Sequence, residues 1–295
     1  MSADKQPAFP PVVGVLEQNI KAIDIPPRPL IIDRIRAAMS EEMPNFKLIG
    51  QLISADVSLA AGLVKTANSP YFGLSSRARS INEALLMLGL DVTCHAVASI
   101  SLRHAFPSNA TYDRFWDASA RIAVLSGWLA RRVKKTKLRP DLRPDEAYTY
   151  GLFRDCGIVV MLRRFPNYQA TLGRANNEAD LPFTLVEQQE FPTDHTVVGH
   201  LLAQNWWLPD SICQAIRHHH NQSAIDLFES GLALSSRYLI ALSQTAEHLL
   251  QQISGASHTE EWSKLGASCL RLLSLDDNDL PELYAEAAEV LETMD

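Results

Sequence analysis

The chain has 295 residues, of which 46% are hydrophobic and 21% are charged, and its formal net charge at pH 7 is -7. This is the composition of a globular protein with enough apolar side chains for a core, and the negative charge argues against nucleic acid as a partner. The four cysteines form no Cys-x-x-Cys motif, which indicates reduced thiols. The polar start is unlike a signal peptide, and no apolar run approaches the roughly 18 residues of a membrane helix, so we expect a cytoplasmic protein with no membrane span.

The first third of the chain predicts a tail and then short helices. Residues 1–14 have the composition of a flexible tail, and a proline-rich extended segment follows at 26–29. Asp56 is a good N-cap for a helix that places Leu59 and Leu63 on one face.

Two further helices are predicted before residue 105. Ser80 and Glu83 have the spacing of a capping box, in which a hydroxyl and a carboxylate satisfy free backbone N–H groups. The helix that they begin should end at Gly89, and Asp91 should start another that runs to about His104.

Longer helices are predicted in the middle of the chain. Residues 105–113 have the composition of a loop, and Phe115 to Val133 form an amphipathic helix that ends in basic residues. A single helix is predicted from Pro144 to about Arg164.

The remaining chain also has helical periodicity. Almost no segment alternates with a period of two residues, so the predicted class is all-α. A second capping box is predicted at residues 257–260. The other predicted helices cover about 167–177, 182–190, 194–206, 209–219, 227–254, 259–273 and 281–293.

Three places combine polar chemistry with apolar surroundings. Arg154 and Asp155 lie in the central Gly-Leu-Phe-Arg-Asp-Cys-Gly stretch, His195 lies at the start of a helix, and His219 shares a face with apolar residues near a helix end. Imidazole and carboxylate together suit divalent first-row ions. Purely structural roles stay open beside a metal site: an ion pair, a hydrogen-bonded core histidine, and a solvated helix end for residues 218–220.

The order of several motifs resembles the HDOD family. Thr66-Ala67-Asn68-Ser69-Pro70-Tyr71-Phe72-Gly73 is its most specific block, and residues 151–157 resemble the family's Gly-Leu-Leu-His-Asp-Ile-Gly segment. The resemblance covers about residues 16–245. It implies two helical lobes, at 15–110 and at 111–245, of which the second is HD-like. Residues 246–295 would form a helical extension.

HDOD domains are similar to HD-domain phosphohydrolases, whose metal is held by a histidine, a His-Asp pair and a later aspartate. The resemblance places Ala118 at the first position, Arg154 and Asp155 at the pair, and Gln244 near the last. Alanine offers no ligand atom and arginine stays protonated, so only Asp155 of this set can bind a metal. The resemblance therefore implies a degenerate metal site with no metal and no cofactor.

The expected function is non-catalytic: a bacterial-type signalling module that binds a protein of unknown identity or a small ligand. Its candidate remnant site comprises Arg154, Asp155, His195 and His219. Two alternatives stay open. One is a divergent metal-dependent phosphohydrolase of the phosphodiesterase or nucleotidase type, and the other is a nucleotide or anion sensor in which Arg154 and the histidines hold a phosphate ligand.

Overall fold

The computed structural model describes residues 23–69, 72, 77–137, 142–226, 231–255 and 258–294, so the predicted tail at 1–14 lies outside the described residues. Throughout these ranges the regular elements are α-helices and no strand occurs, which confirms the all-α class. In chain order the helices are α1 (Leu30–Met39), α2 (Phe46–Ser54), α3 (Val57–Ala67), α4 (Ile81–His104), α5 (Ala110–Thr136), α6 (Pro144–Phe153), α7 (Cys156–Arg164), α8 (Tyr168–Asn176), α9 (Phe183–Gln188), α10 (His195–Asn205), α11 (Asp210–His218), α12 (Gln222–Asp226), α13 (Leu234–Ser254), α14 (Glu261–Leu273) and α15 (Leu280–Glu292).

Side-chain caps begin α3 and α4 where the sequence predicts them. The Asp56 carboxylate accepts from the Ser58 and Leu59 N–H groups at 2.8 and 3.1 Å. The Ser80 hydroxyl accepts from the Glu83 N–H at 3.1 Å, whereas the Glu83 carboxylate accepts from the Arg79 N–H and not from Ser80. Each cap satisfies backbone donors that a helix start leaves without partners.

Gly89 bends the chain inside α4. Its φ of 74° and ψ of 171° are not helical, and helical residues continue directly after it. Glycine adopts this positive φ without the steric cost of a Cβ. The predicted end at Gly89 is therefore confirmed as a kink at which two helical segments of α4 meet.

Two predicted boundaries need correction. The loop predicted at 105–113 is shorter, because the Asn109 side chain accepts from the Thr111 and Tyr112 N–H groups and α5 begins at Ala110. Near the C-terminus, α14 begins at Glu261 after Glu260, which makes no side-chain cap. Ser257 of the predicted capping box lies outside the described residues.

The helix predicted from Pro144 to Arg164 is two helices, and the break lies at Arg154-Asp155. Asp155 has φ of -105° and ψ of 15°, so α6 ends at Phe153 and α7 begins at Cys156. The apolar periodicity is continuous across this point, which is why the pattern alone predicts one helix. In a continuous helix, the side chains of adjacent residues point about 100° apart. The break removes this restriction for Arg154 and Asp155.

Gly157 fixes the start of α7 against the start of α10. A Cβ built on Gly157 would lie 1.9 Å from the His195 carbonyl oxygen and 2.8 Å from the Gly199 nitrogen. The two backbones can approach this closely only without a side chain. Asp155, just before α7, and His195, at the first position of α10, are thereby held close together.

Helix α13 forms the middle of the second half of the chain and packs against α5, α6, α11, α14 and α15. It runs without interruption through residue 245, where the predicted HD-like lobe would end. The division into lobes at 110 and 245 stays a prediction.

Helix α4 is long and apolar enough to cross a membrane, and the pair α2 and α3 would qualify only as a unit bent by 119°. Half of the apolar stretch of α4 is buried inside the fold. This burial is typical of a core helix in a folded domain.

Candidate functional site

Three imidazoles and one carboxylate converge at the break between α6 and α7. The His195 Nε2 atom lies 3.2 Å from the Nε2 atoms of both His219 and His220, and the Asp155 Oδ1 atom lies 3.2 Å from His219 Nε2. One ligand atom from each of these four residues lies within 4.8 Å of every other. We call Asp155, His195, His219 and His220 the His3Asp cluster.

The other ring nitrogen of each histidine faces an oxygen acceptor. His195 Nδ1 lies 2.9 and 2.8 Å from the two Glu187 carboxylate oxygens, and His219 Nδ1 lies 2.8 Å from the Ile216 carbonyl. His220 Nδ1 contacts the Glu261 carboxylate. Each Nδ1 must donate a proton to its acceptor, so in the neutral rings the Nε2 lone pairs all point toward one another.

Buried carboxylates hold two of these rings. Glu187 also accepts from the Tyr168 hydroxyl, and its side chain is fully buried. Glu261 lies 2.6 Å from Lys264 Nζ. Burial acts to raise the pKa of Glu261, but His220 and Lys264 bring it down to about 2. Such carboxylate–histidine pairs fix the orientation and the proton position of metal-binding imidazoles.

Arg154 is buried and is engaged by two acidic groups. Its Nε atom lies 3.0 Å from Asp155 Oδ2, as an ion pair without hydrogen-bond alignment, and its Nη2 atom donates to Glu247 at 2.9 Å. Its Nη1 atom lies 3.3 Å from the Ser243 carbonyl oxygen. Burial disfavours the charged guanidinium, yet Asp155 and Glu247 raise the pKa of Arg154 above its ordinary value.

The charge of Arg154 also acts on Asp155. Burial would raise the pKa of Asp155, but Arg154 and then His219 hold that pKa well below its usual range. Burial and the neighbouring His220 lower the pKa of His219 to about 3. Asp155 is therefore an anion and His219 a neutral base at neutral pH, which are the states that ligate a metal.

The charges in and around the cluster do not cancel. The cations Arg154 and Lys264 are outnumbered there by the acidic groups of Asp155, Glu187, Glu247 and Glu261, of which Glu247 has its pKa raised by burial. A bound cation would offset this excess of acidic groups. Burying uncompensated charge is unfavourable, which makes a bound cation a stabilising occupant.

The residues also fit a metal in geometry and chemistry. Metal–nitrogen bonds of about 2.0–2.1 Å in a tetrahedral site place two ligand nitrogens about 3.3–3.4 Å apart, close to the 3.2 Å between Nε2 atoms here. Three imidazoles and one carboxylate suit zinc and the other divalent first-row ions. Asp155, His195, His219 and His220 would hold such an ion.

The sequence prediction of the site was correct for some residues and incomplete for others. Asp155, His195 and His219 do meet, and Asp194 caps α10 by accepting from the Thr196 N–H at 2.9 Å. His220, however, is a cluster member and not a solvated helix end. Helix α11 ends at His218, and the following turn directs His219 and His220 into the site.

Several supporting residues were missed altogether. Glu187, Glu247 and Glu261 come from α9, α13 and α14, in stretches with no local motif. Gln244, near the expected last family ligand, is buried and donates to Glu247 at 3.1 Å. Counting only Asp155 as a surviving ligand therefore underestimates the metal-binding capacity that the fold assembles.

Comparisons with known proteins agree with this architecture. An uncharacterized protein of Treponema pallidum (strain Nichols) is 28% identical over 199 residues, which are 67% of this chain and 38% of that protein, so the chain spans well under half of its relative. A provisionally assigned phosphohydrolase of Shewanella amazonensis SB2B has a TM-score of 0.66 at 22% identity, with 95% of this chain and 98% of that chain covered.

A second solved structure also shares this fold. A provisionally assigned signal transduction protein of Marinobacter aquaeolei VT8 has a TM-score of 0.63 at 18% identity, over 96% of this chain and 63% of that one. At these identities the likeness shows a shared fold. The sequence profile of the HDOD domain matches residues 25–222, and the chain therefore belongs to the HDOD family.

Proposed function

We propose that this protein is a non-catalytic HDOD regulatory module of cytoplasmic signalling, which acts by binding a protein or a small ligand. The observation that carries the proposal is the position of Arg154. It stands where the resemblance expects the histidine of the metal-binding pair, and its guanidinium engages Asp155 and Glu247 at 3.0 and 2.9 Å. A fixed cation there opposes the binding of a metal ion beside Asp155 on that side.

We further propose that the His3Asp cluster binds one divalent first-row metal ion with a structural role. Four protein ligands saturate a tetrahedral ion, and closed sites of this kind are structural, whereas catalytic sites keep an open position. The side chains of His195, His219 and His220 are at most 5% exposed. When bound, the ion supplies a positive charge that joins α10 and the turn after α11 to the α6–α7 break.

The main alternative is a divergent metal-dependent phosphohydrolase, and the His3Asp cluster is the observation that favours it. Asp155 is the most exposed of its four residues, at 16% of the side chain, and would be the point of access. A sensor in which Arg154 holds phosphate has less support, because Asp155, Glu247 and the Ser243 carbonyl already occupy its guanidinium nitrogens.

Metal content and turnover, measured on purified untagged protein, test the proposal. We expect the purified protein to contain near-stoichiometric zinc, iron, manganese or nickel. We also expect it to hydrolyse bis-p-nitrophenyl phosphate and nucleoside monophosphates no faster than the His220→Ala variant does. His218→Ala is the matched control, since His218 lies in the same histidine run but outside the His3Asp cluster, and it should retain the metal. Turnover that depends on His220 would overturn the non-catalytic function, and metal-free protein would overturn the structural ion.

A further inference from the structure

A separate cavity of about 970 Å³ is lined by residues outside the His3Asp cluster. Its walls come from α3, the second half of α4 and the first half of α5, with Tyr148 and Leu152 of α6 and the residues after α15 completing it. It shares no lining residue with the His3Asp cluster. Its volume is at the upper end of the range for small-molecule and cofactor sites.

Basic side chains dominate the charge of this cavity. Among the described residues that line it, the charged ones are Lys65, Arg77, Arg103 and Arg121, with His104 beside them, against the carboxylate of Asp117. This excess of positive charge occurs in a chain whose net charge is -7. Local charge of the sign opposite to that of the whole protein concentrates anions at this cavity.

Two of these cations have no ion-pair partner in the described part of the chain. Lys65 and Arg77 form none, and Arg103 has only a weak one, 3.7 Å to Asp113 with both side chains more than 40% exposed. An exposed pair at that distance contributes little to stability. These side chains are therefore available to a ligand at small cost.

Apolar and aromatic residues also line the cavity. They include Ile100, Val124 and Leu152, together with the buried Trp116 and Tyr148. Such residues fit a flat or apolar group, and the basic side chains fit a phosphate with charge-assisted hydrogen bonds. Inorganic phosphate alone would use only part of this surface.

From these observations we infer that the cavity binds a phosphorylated small molecule with an aromatic or apolar part, of which a nucleoside monophosphate is the simplest example. The inferred phosphate site is therefore not at Arg154, whose guanidinium is engaged by acidic groups, but in a cavity that shares no lining residue with the cluster. The inference does not depend on a metal in the His3Asp cluster.

Calorimetric titration of the full chain, without added metal and with a chelator present, tests this inference. The probes are AMP, GMP, adenosine and inorganic phosphate. We expect at least one nucleotide to bind at least about tenfold more tightly than adenosine or phosphate. Only a nucleotide can contact the basic lining residues with its phosphate and the apolar lining residues with its base. Equal affinity for adenosine and the nucleotides, or no binding of any probe, would overturn the inference.

Charge-reversal variants assign the binding to this cavity. The double variant Lys65→Glu with Arg103→Glu should weaken nucleotide binding at least about tenfold. The control is Lys47→Glu with Lys135→Glu, which changes the net charge by the same amount on exposed residues outside the cavity and should leave nucleotide binding unchanged. Equal losses in both double variants would disprove a specific site.

Two more variants keep the test independent of folding and of the metal. Ala120→Phe narrows the cavity without changing charge and should also weaken binding, so it decides the result if the double reversal fails to fold. His220→Ala should leave nucleotide affinity unchanged. Loss of nucleotide binding in His220→Ala, with Ala120→Phe unaffected, would place the ligand at the His3Asp cluster and overturn the inference.

Discussion

The Nε2 atoms of His195 and His219 lie 3.2 Å apart, and the Nδ1 atom of each ring is committed to an oxygen acceptor. If both rings are neutral, the lone pair on His195 Nε2 faces the lone pair on His219 Nε2. Only a positive charge between them, a metal ion or one shared proton, makes the contact favourable. Glu187 raises the pKa of His195 against the effect of burial, so a proton on His195 is the competitor that a metal ion must displace.

The support that Glu187 gives to His195 should be measurable in metal affinity. Glu187→Gln keeps the size of the side chain but weakens its hold on the Nδ1 proton, so cobalt(II) affinity, read from its visible absorption, should fall about 10–100-fold. Glu190→Gln is the control, because Glu190 contacts Thr171 and Arg174 and no cluster residue. Equal affinities for the two variants would contradict this role of Glu187.

Arg154→Ala should destabilise the fold by about 3–5 kcal/mol, because it leaves Glu247 as a buried anion without its cationic partner. Urea unfolding followed by circular dichroism measures the free energy of unfolding. Arg143→Ala is the comparison: that arginine is 59% exposed and pairs with Asp145 at 3.2 Å, so its loss should cost less than about 1 kcal/mol. Equal costs for the two variants would show that Arg154 is not a buried structural cation.

Gly157→Ala should cost on the order of 3 kcal/mol or more, since the new methyl group would meet the His195 carbonyl oxygen at 1.9 Å. Gly173→Ala is the matched control within helix α8. Nothing lies within 4 Å of a Cβ there, so alanine should stabilise the protein by about 0.5–1 kcal/mol. Melting temperatures that shift in the same direction for both variants would contradict this packing.

His248 should make stability depend on pH. Its ring stacks on Trp262 at 4.0 Å, its Nε2 lies 2.6 Å from the Tyr284 hydroxyl, and burial lowers its pKa to about 4. Between pH 6.5 and 4 the unfolded chain therefore binds more protons than the folded protein. The contribution of His248 is complete above pH 6.5 and is lost as the pH falls through about 4.

The size of this effect is roughly 3–4 kcal/mol, from about 1.4 kcal/mol for each of the 2.5 pH units between 6.5 and about 4. Urea unfolding at several pH values, with His248→Gln as the variant, measures it. The pKa values of His95 and of the buried His219 are also lowered, whereas that of His195 is raised, so the difference between the two proteins is the decisive quantity. Parallel pH profiles for wild type and His248→Gln would show that His248 does not titrate on unfolding.

The sequence predicted most accurately the features that depend on residues close together in the chain. Asp56 and Ser80 cap helices at the expected positions, because a cap depends on a side chain and the backbone two or three residues away. The two glycines of the central stretch, Gly151 and Gly157, are points of close packing, since a Cβ on either would collide with neighbouring backbone.

The sequence could not show what depends on distant elements. The break at Arg154-Asp155 interrupts a continuous apolar pattern, and Glu247, which accepts from the Arg154 guanidinium there, lies 93 positions later. A solvated helix end stayed open for residues 218–220, because the partner of His220, Glu261, is 41 positions away. A list of family ligand positions therefore omitted a cluster that the tertiary fold assembles from other residues.

The Arg154–Glu247 pair also bears on any attempt to introduce a His-Asp pair at this site. Arg154→His alone would leave Glu247, whose side chain is 13% exposed, without its cation, and the variant should be less stable unless a second substitution or a bound metal ion supplies the missing charge. A new metal-binding pair at positions 154 and 155 therefore requires at least two coordinated changes.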